Sequence, residues 1–219
     1  MTLDTIQSRI AAYADEDPVT GNISDEDYAL RLNFVNQAIT EWQEATNWKV
    51  LYTEYNTLTS TATGNLSIAL PTNFRKLASY PIIAGEALPE TNPIHSSQFA
   101  ETEKRIEVLG NPATGYNLRV YGTALISGAS IKIPYYAAAN ALASPADISE
   151  IPDSNYLVKR SLAYMLESRD DAKFVEMKGE ADRILGNMID RENVHSVAAD
   201  ESTVKSVLQT KYGYRIGGW

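Results

Sequence analysis

Few residues of this 219-residue chain have the type and spacing that chemistry requires. The two histidines, His95 and His195, are the candidate general bases. Each falls in an expected loop or helix end, and neither has a recognisable nucleophile nearby in sequence. A small hydrolase that borrows acidic partners from elsewhere is one reading; a surface or capping histidine is the commoner case. No GxSxG elbow, HExxH pair, P-loop or GxGxxG turn is found. Two acidic clusters, Asp15 with Glu16 and Asp17, and Asp170 with Asp171, lack the ligand spacing of a calcium loop. Carboxylates at a helix start ordinarily cap it and meet its dipole. Cysteine is absent, which excludes disulfides and thiolate metal sites. The expectation is therefore no catalytic residue, no metal and no cofactor.

Aromatic chemistry is the remaining option, because the chain has 13 tyrosines. Tyr28, Trp42, Tyr52, Tyr55, Tyr135 and Tyr136 lie in periodic segments, where packing with the hydroxyl at a boundary is the default. A soluble ligand-binding module with a tyrosine-lined pocket is the alternative. Tyr212, Tyr214, Arg215, Ile216 and Trp219 differ, because they cluster on a glycine-broken terminus that builds no core of its own. They are the candidate docking arm, read as aromatic anchors for a partner's pockets, against the bland reading of a frayed end.

The composition, 44% hydrophobic and 21% charged, is that of a globular protein. A net charge of −9 repels phosphate and disfavours general nucleic-acid binding. Residues 1–16 carry Asp4 and no basic run before an apolar stretch, so no secretory signal is read there. No apolar run approaches ~18 residues, so no membrane span is expected. Assembly in a cytoplasm is the expected setting.

The elements that must position these residues follow from periodicity. Residues 3–15 read as a short helix with Ile6, Ile10 and Tyr13 on one face, followed by a Pro- and Gly-punctuated loop. Ser24 with Asp27 gives an acidic capping box, and Ile23 with Tyr28 a hydrophobic staple. They open a long helix over 25–47 striped by Tyr28, Leu32, Val35, Ile39 and Trp42. Leu30, Phe34 and Ala38 widen that stripe, implying contacts on more than one side.

From residue 48 the period changes to that of strands. Residues 48–58, a turn at 63–65, and alternating Leu66, Ile68 and Leu70 read as a hairpin. A further strand-like run reaches Ile83 and turns near Gly85. Loop covers 89–98, and a short helix is read over 97–107. A turn at 110–115 precedes a strand with Tyr116, Leu118 and Val120. Another strand, IKIPYY, should end at Pro134 or lie at an edge, since proline cannot donate a ladder bond.

After a small-residue linker, Pro152 and Asp153 open a helix with Val158, Leu162, Met165 and Leu166 inward. Asp170-Asp171 breaks it, and the Ser168–Asp171 spacing can cap the last helix. There Phe174, Met177, Ala181, Ile184, Leu185 and Met188 form the apolar face. Residues 194–219 lose that pattern, with one or two helical turns around Val204, Val207 and Leu208. The fold expected is α+β, mainly α. It is a four-helix bundle of two N-terminal and two C-terminal helices (1–48 and 137–193), with an inserted antiparallel β lobe (49–136) and an extended C-terminal tail (194–219).

This layout, with PTNF at 71–74, Tyr135-Tyr136, IPDSNY at 151–156 and Asp170-Asp171, resembles the head–tail adaptor (connector) proteins of tailed bacteriophages over roughly residues 1–193. Pro134 before the tyrosine pair departs from the usual pattern. The resemblance implies a structural virion protein of the neck, assembled as a ring, usually twelvefold, beneath the portal protein. It also implies tail or tail-completion (stopper) proteins as partners, and DNA passing through the lumen without sequence-specific contacts. By that analogy residues 194–219 form the portal-contacting arm and residues 49–136 the tail-facing or inter-subunit surface.

Overall fold

The computed structural model describes residues 1–14, 26–58, 66–91, 104–121 and 128–212, with only the backbone described for Leu66 and for 194–212. The fold is α+β with substantial strand content: among the described residues, helices α1 (Leu3–Tyr13), α2 (Glu26–Ala45), α3 (Ser154–Ser168) and α4 (Phe174–Tyr212), and eight strands between α2 and α3. The chain divides into two compact units, 1–46 with 140–219, and 47–139.

In the helical unit the capping residues start the helices. The Thr2 hydroxyl accepts from the Thr5 N–H, and the Asp153 carboxylate accepts from the Asn155 N–H at the mouth of α3. Ile6 and Ile10 are buried as their spacing requires, whereas Tyr13 is exposed beneath the Lys159 ammonium, 4.1 Å from its ring centroid. Along α2 the residues Tyr28, Val35, Ala38, Ile39 and Trp42 are buried. Leu30 stays exposed and Phe34 half-buried, so the widened stripe is only partly covered. Ser24 lies outside the described residues.

α3 packs against α1, α2 and α4 and is buried on nearly every side, through Tyr156, Leu157, Val158, Leu162, Met165 and Leu166. It ends in a Schellman turn. The Asp171 N–H donates to the Leu166 carbonyl and the Asp170 N–H to the Glu167 carbonyl, with Asp170 at φ 56°. Ser168 closes α3 by donating to the Met165 carbonyl, 2.7 Å, rather than capping α4. Asp171 does cap α4, accepting from the Lys173 N–H at 2.9 Å. Of the expected α4 face, Ala181 and Met188 are buried and Phe174, Met177, Ile184 and Leu185 half-buried, packed principally on α3. α4 does not end where its first pattern does. It continues through Tyr212, 39 residues or ~58 Å, because no Gly or Pro intervenes after Gly186 until Gly213.

The second unit holds two antiparallel sheets. β1 (Tyr52–Leu58), β3 (Phe74–Leu77), β4 (Ile82–Ile83), β5 (Glu86–Ala87) and β8 (Ser130–Ala137) form one; β2 (Leu66–Ala69), β7 (Gly115–Tyr121) and β6 (Arg105–Asn111) form the other. β1 and β2 are therefore not the expected hairpin: β1 pairs with β8 and β2 with β7. Neither is 97–107 a helix throughout, because Arg105, Ile106 and Glu107 already belong to β6, whose alternation Ile106-x-Val108 fits a strand. The turn around 84–85 and the β6–β7 turn follow the glycines. Ala84 and Gly85 both have positive φ between Ile83 and Glu86, the two-residue geometry that matches strand twist.

Pro134 does not end β8, which runs through to Ala137 as the central strand of its sheet. In an antiparallel ladder a residue's N–H and C=O face the same edge. The Pro134 carbonyl accepts from the Ala78 N–H at 3.0 Å, so the missing N–H faces the gap between β3 and β4 and not β1. On the other edge Pro134 stands opposite Glu54 in a pair without hydrogen bonds. Between the sheets lie Phe74, Ile83, Ile106, Leu118, Ile131, Ile133 and Tyr135, the unit's core.

Candidate interaction surfaces

The side chains that organise the helical unit are polar. Arg160 of α3 is nearly buried; its Nε donates to Glu41 Oε2 of α2 at 2.6 Å, a second guanidinium nitrogen meets the other Glu41 oxygen, and its Nη1 donates to Asp182 of α4 at 3.1 Å. The Tyr164 hydroxyl donates to the same Glu41 carboxylate, and its ring stacks on Phe34, centroids 6.2 Å apart. Burial by itself would disfavour the charge on Arg160, but the Glu41 bonds outweigh it and raise its pKa. Burial, then Glu41, raises the Tyr164 pKa, and burial raises that of Tyr156. Bidentate pairing of this kind fixes angle as well as distance, so Arg160 sets how α2, α3 and α4 meet.

Lys159 performs the matching task on the opposite flank of α4, bonding Glu180 at 2.8 Å while covering Tyr13 of α1. Beneath it a cleft of about 230 Å³ opens between Tyr13, Leu162, Leu166, Asp171, Lys173 and Met177. Its lining offers apolar contact and two charges, with no acid–base pair of catalytic geometry. Consecutive residues 159 and 160 thus hold α4 from both sides. The 156–160–164 spacing in α3, with α2's Glu41, was the sequence signal for this node, hidden because Lys159-Arg160 reads as a solvated charge pair.

In the β unit the outward face of the first sheet carries Tyr52, Glu54, Lys132 and Tyr136. Tyr52 was expected in the core but points outward, as does the half-buried Tyr136, because their partners at 53, 55 and 135 take the inward positions. The two rings meet edge-on at 6.1 Å, and the Lys76 ammonium lies 5.8 Å from the Tyr136 centroid. Glu54 bonds Lys132 at 3.0 Å and accepts from the Tyr52 hydroxyl at 2.9 Å; both hold its pKa below the usual carboxylate range, Lys132 most.

Of the residues expected to form the docking arm, Tyr212 is the last helical residue of α4, and Tyr214, Arg215, Ile216 and Trp219 lie outside the described residues. His95 and the 15–17 acidic cluster also lie outside them, and His195 sits on the α4 backbone. The helical unit thus carries a charged node and a cleft, and the β unit an aromatic, charged face. Among the described residues no group of three or more His, Cys, Asp or Glu could hold a metal ion, and no helix is long and apolar enough to cross a membrane.

A family model described as SU10 adaptor protein matches residues 1–203. No curated protein matches the chain.

Proposed function

The chain belongs to the SU10 adaptor family, in agreement with its resemblance to phage head–tail adaptors, and from that membership we propose that it works as the head-to-tail adaptor of a phage neck. It assembles as a ring, taken as twelvefold by analogy, under the portal protein. It extends the DNA channel and offers tail or stopper proteins their attachment surface, from a place in the virion between capsid and tail. The task is mechanical, and no residue acts catalytically. The match over residues 1–203 carries this reading.

Three features support the division of labour. The helical unit, four helices that complete a bundle or share its last side with a neighbouring copy, provides the rigid wall. The β unit, 47–139, presents the Tyr52–Tyr136 face toward tail or neighbour. The terminal segment with Tyr212, Tyr214, Arg215, Ile216 and Trp219 reaches the portal. A chain of net charge −9 suits a lumen through which DNA slides without being gripped.

The test is incubation of the full chain with isolated portal rings, followed by sedimentation and electron microscopy. The expected outcome is a collar of copies on one end of each ring. Truncation of residues 205–219 should abolish attachment while the remaining helicity persists. Unchanged attachment overturns the arm assignment, and absence of any collar with the full chain overturns the adaptor assignment.

A further inference from the structure

The two sheets of the β unit treat their edges differently. The outer edge of β6 is covered, the Thr91 N–H donating to the Ile106 carbonyl at 2.8 Å and the Ile106 N–H to the Pro89 carbonyl at 3.0 Å. β1 ends its own sheet, and among the described residues no strand pairs with its far side. It runs in regular register against β8 from Tyr52 to Leu58, without the bulge, proline or lysine that ordinarily blunts an edge. Thr53, Tyr55 and Thr57 bond β8, so the backbone groups of Tyr52, Glu54, Asn56 and Leu58 face the open side. Of these, the Tyr52 N–H is already taken by the Lys49 carbonyl. The others are a template for one more strand.

The side chains along that edge fit a second β1. Antiparallel pairing through the open side must set Tyr52, Glu54, Asn56 and Leu58 of one copy against the same residues of the other. Centred on Tyr55, it uses the whole edge, with Tyr52 opposite Leu58 and Glu54 opposite Asn56. Tyr52 is 44% and Leu58 65% exposed, both on the outward face, so this register covers apolar side chains that one copy alone leaves in water. It also brings the Asn56 carboxamide, a donor, beside the Glu54 carboxylate. The neighbouring registers lose these pairs. Centred on Glu54, carboxylate meets carboxylate; centred on Asn56, Tyr52 has no partner and Leu58 meets Glu54.

We propose that β1 pairs antiparallel with β1 of a second copy, centred on Tyr55, so that two sheets become one across a two-fold axis. A lone strand pair is small beside a standard interface, which keeps the dimer weak and reversible. In the proposed ring, whose copies are related by rotation about one axis, this pair has no place. The dimer is therefore a form of the free chain that assembly must open, and only this last step rests on the adaptor reading.

Because the chain has no cysteine, single thiols report the register directly. The full chain, alone, should approach twice its 24.1 kDa mass in sedimentation as concentration rises. Mixed Tyr52→Cys and Leu58→Cys chains should cross-link on oxidation, whereas neither variant should cross-link with itself. Asn56→Pro removes a donor from the open side only, so it should abolish the dimer and leave the chain folded by circular dichroism. Asn56→Glu sets carboxylate against Glu54 twice and should weaken the dimer about tenfold, while Asn56→Lys should tighten it. A monomer at every concentration, cross-linking of Glu54→Cys with itself, or a dimer indifferent to residue 56 overturns the proposal. Every readout omits portal, so failure here leaves the adaptor reading standing.

Discussion

Arg160 on α3 and Glu41 on α2, 119 residues apart, form a two-point ion pair, and the same guanidinium reaches Asp182 on α4. One side chain thereby fixes three helices. The two carboxylates are not equivalent, since Glu41 is about a third exposed and Asp182 more than half. Arg160→Ala should cost about 3 kcal/mol, because it leaves the Glu41 charge with the Tyr164 hydroxyl but without its guanidinium. Asp182→Ala should cost less than about 1 kcal/mol, solvent having screened that pair already. Urea unfolding of the two variants gives the comparison, and equal losses would show that the node is not centred on Glu41.

The β6–β7 turn rests on a close backbone approach. At Gly110, φ 111°, an added Cβ would lie 2.1 Å from the Gly115 carbonyl oxygen; at Gly115, φ 81°, it would meet nothing within 4 Å. Gly110→Ala should therefore fall among the rare substitutions that cost more than about 4 kcal/mol, while Gly115→Ala pays only the left-handed penalty of about 1–2 kcal/mol. Thermal unfolding of both variants checks the order. A Gly115 variant as damaged as the Gly110 one would refute the contact argument.

Much of this was legible in the sequence, and the exceptions have definite causes. Helical spacing placed Ile6, Val35, Trp42, Leu162 and Ala181 correctly because one face of each helix meets protein. Membership of a sheet was not legible, since β1 finds β8 across more than seventy residues and local alternation names no partner. The run of α4 past residue 193 was not legible because the first apolar stripe ends at Met188, while backbone propensity alone carries the helix on. The Arg160 node was missed for the reason that charge in sequence reads as surface, although guanidinium is the cation that tolerates burial when its fork is filled.

Acid should loosen the turn within the linker between β8 and α3. The Asp147 carboxylate accepts from the Ser144 and Ala143 N–H groups, each at 2.8 Å, and these two bonds, Ser144's first, lower its pKa. The unfolded chain, with an ordinary pKa near ~3.9, binds the proton more readily, so the stabilisation is present above that value and is lost as pH falls through the depressed folded one. Asp147→Asn should flatten the fall in unfolding midpoint below roughly pH 4 and leave the neutral-pH slope unchanged. An identical acid limb in the variant would show that this carboxylate contributes nothing to it.

Pro134 makes the last prediction, because its place in the ladder is defined on both edges. Its carbonyl bonds Ala78 across the gap between β3 and β4, and on the β1 side it faces Glu54 without a backbone bond. Restoring an N–H there returns a donor that β1 has no use for, so Pro134→Val should change stability by less than about 1 kcal/mol. Ile133, one residue earlier, faces Tyr55 in the alternate, hydrogen-bonded kind of pair. Proline at that position removes a central ladder bond and buckles a buried strand, and Ile133→Pro should cost about 3 kcal/mol or more. Amide exchange at Thr53, Tyr55 and Thr57 reads the result locally. Their protection should survive in the Pro134 variant and collapse in the Ile133 variant, and the reverse pattern would mean that β8 presents the opposite edge to β1.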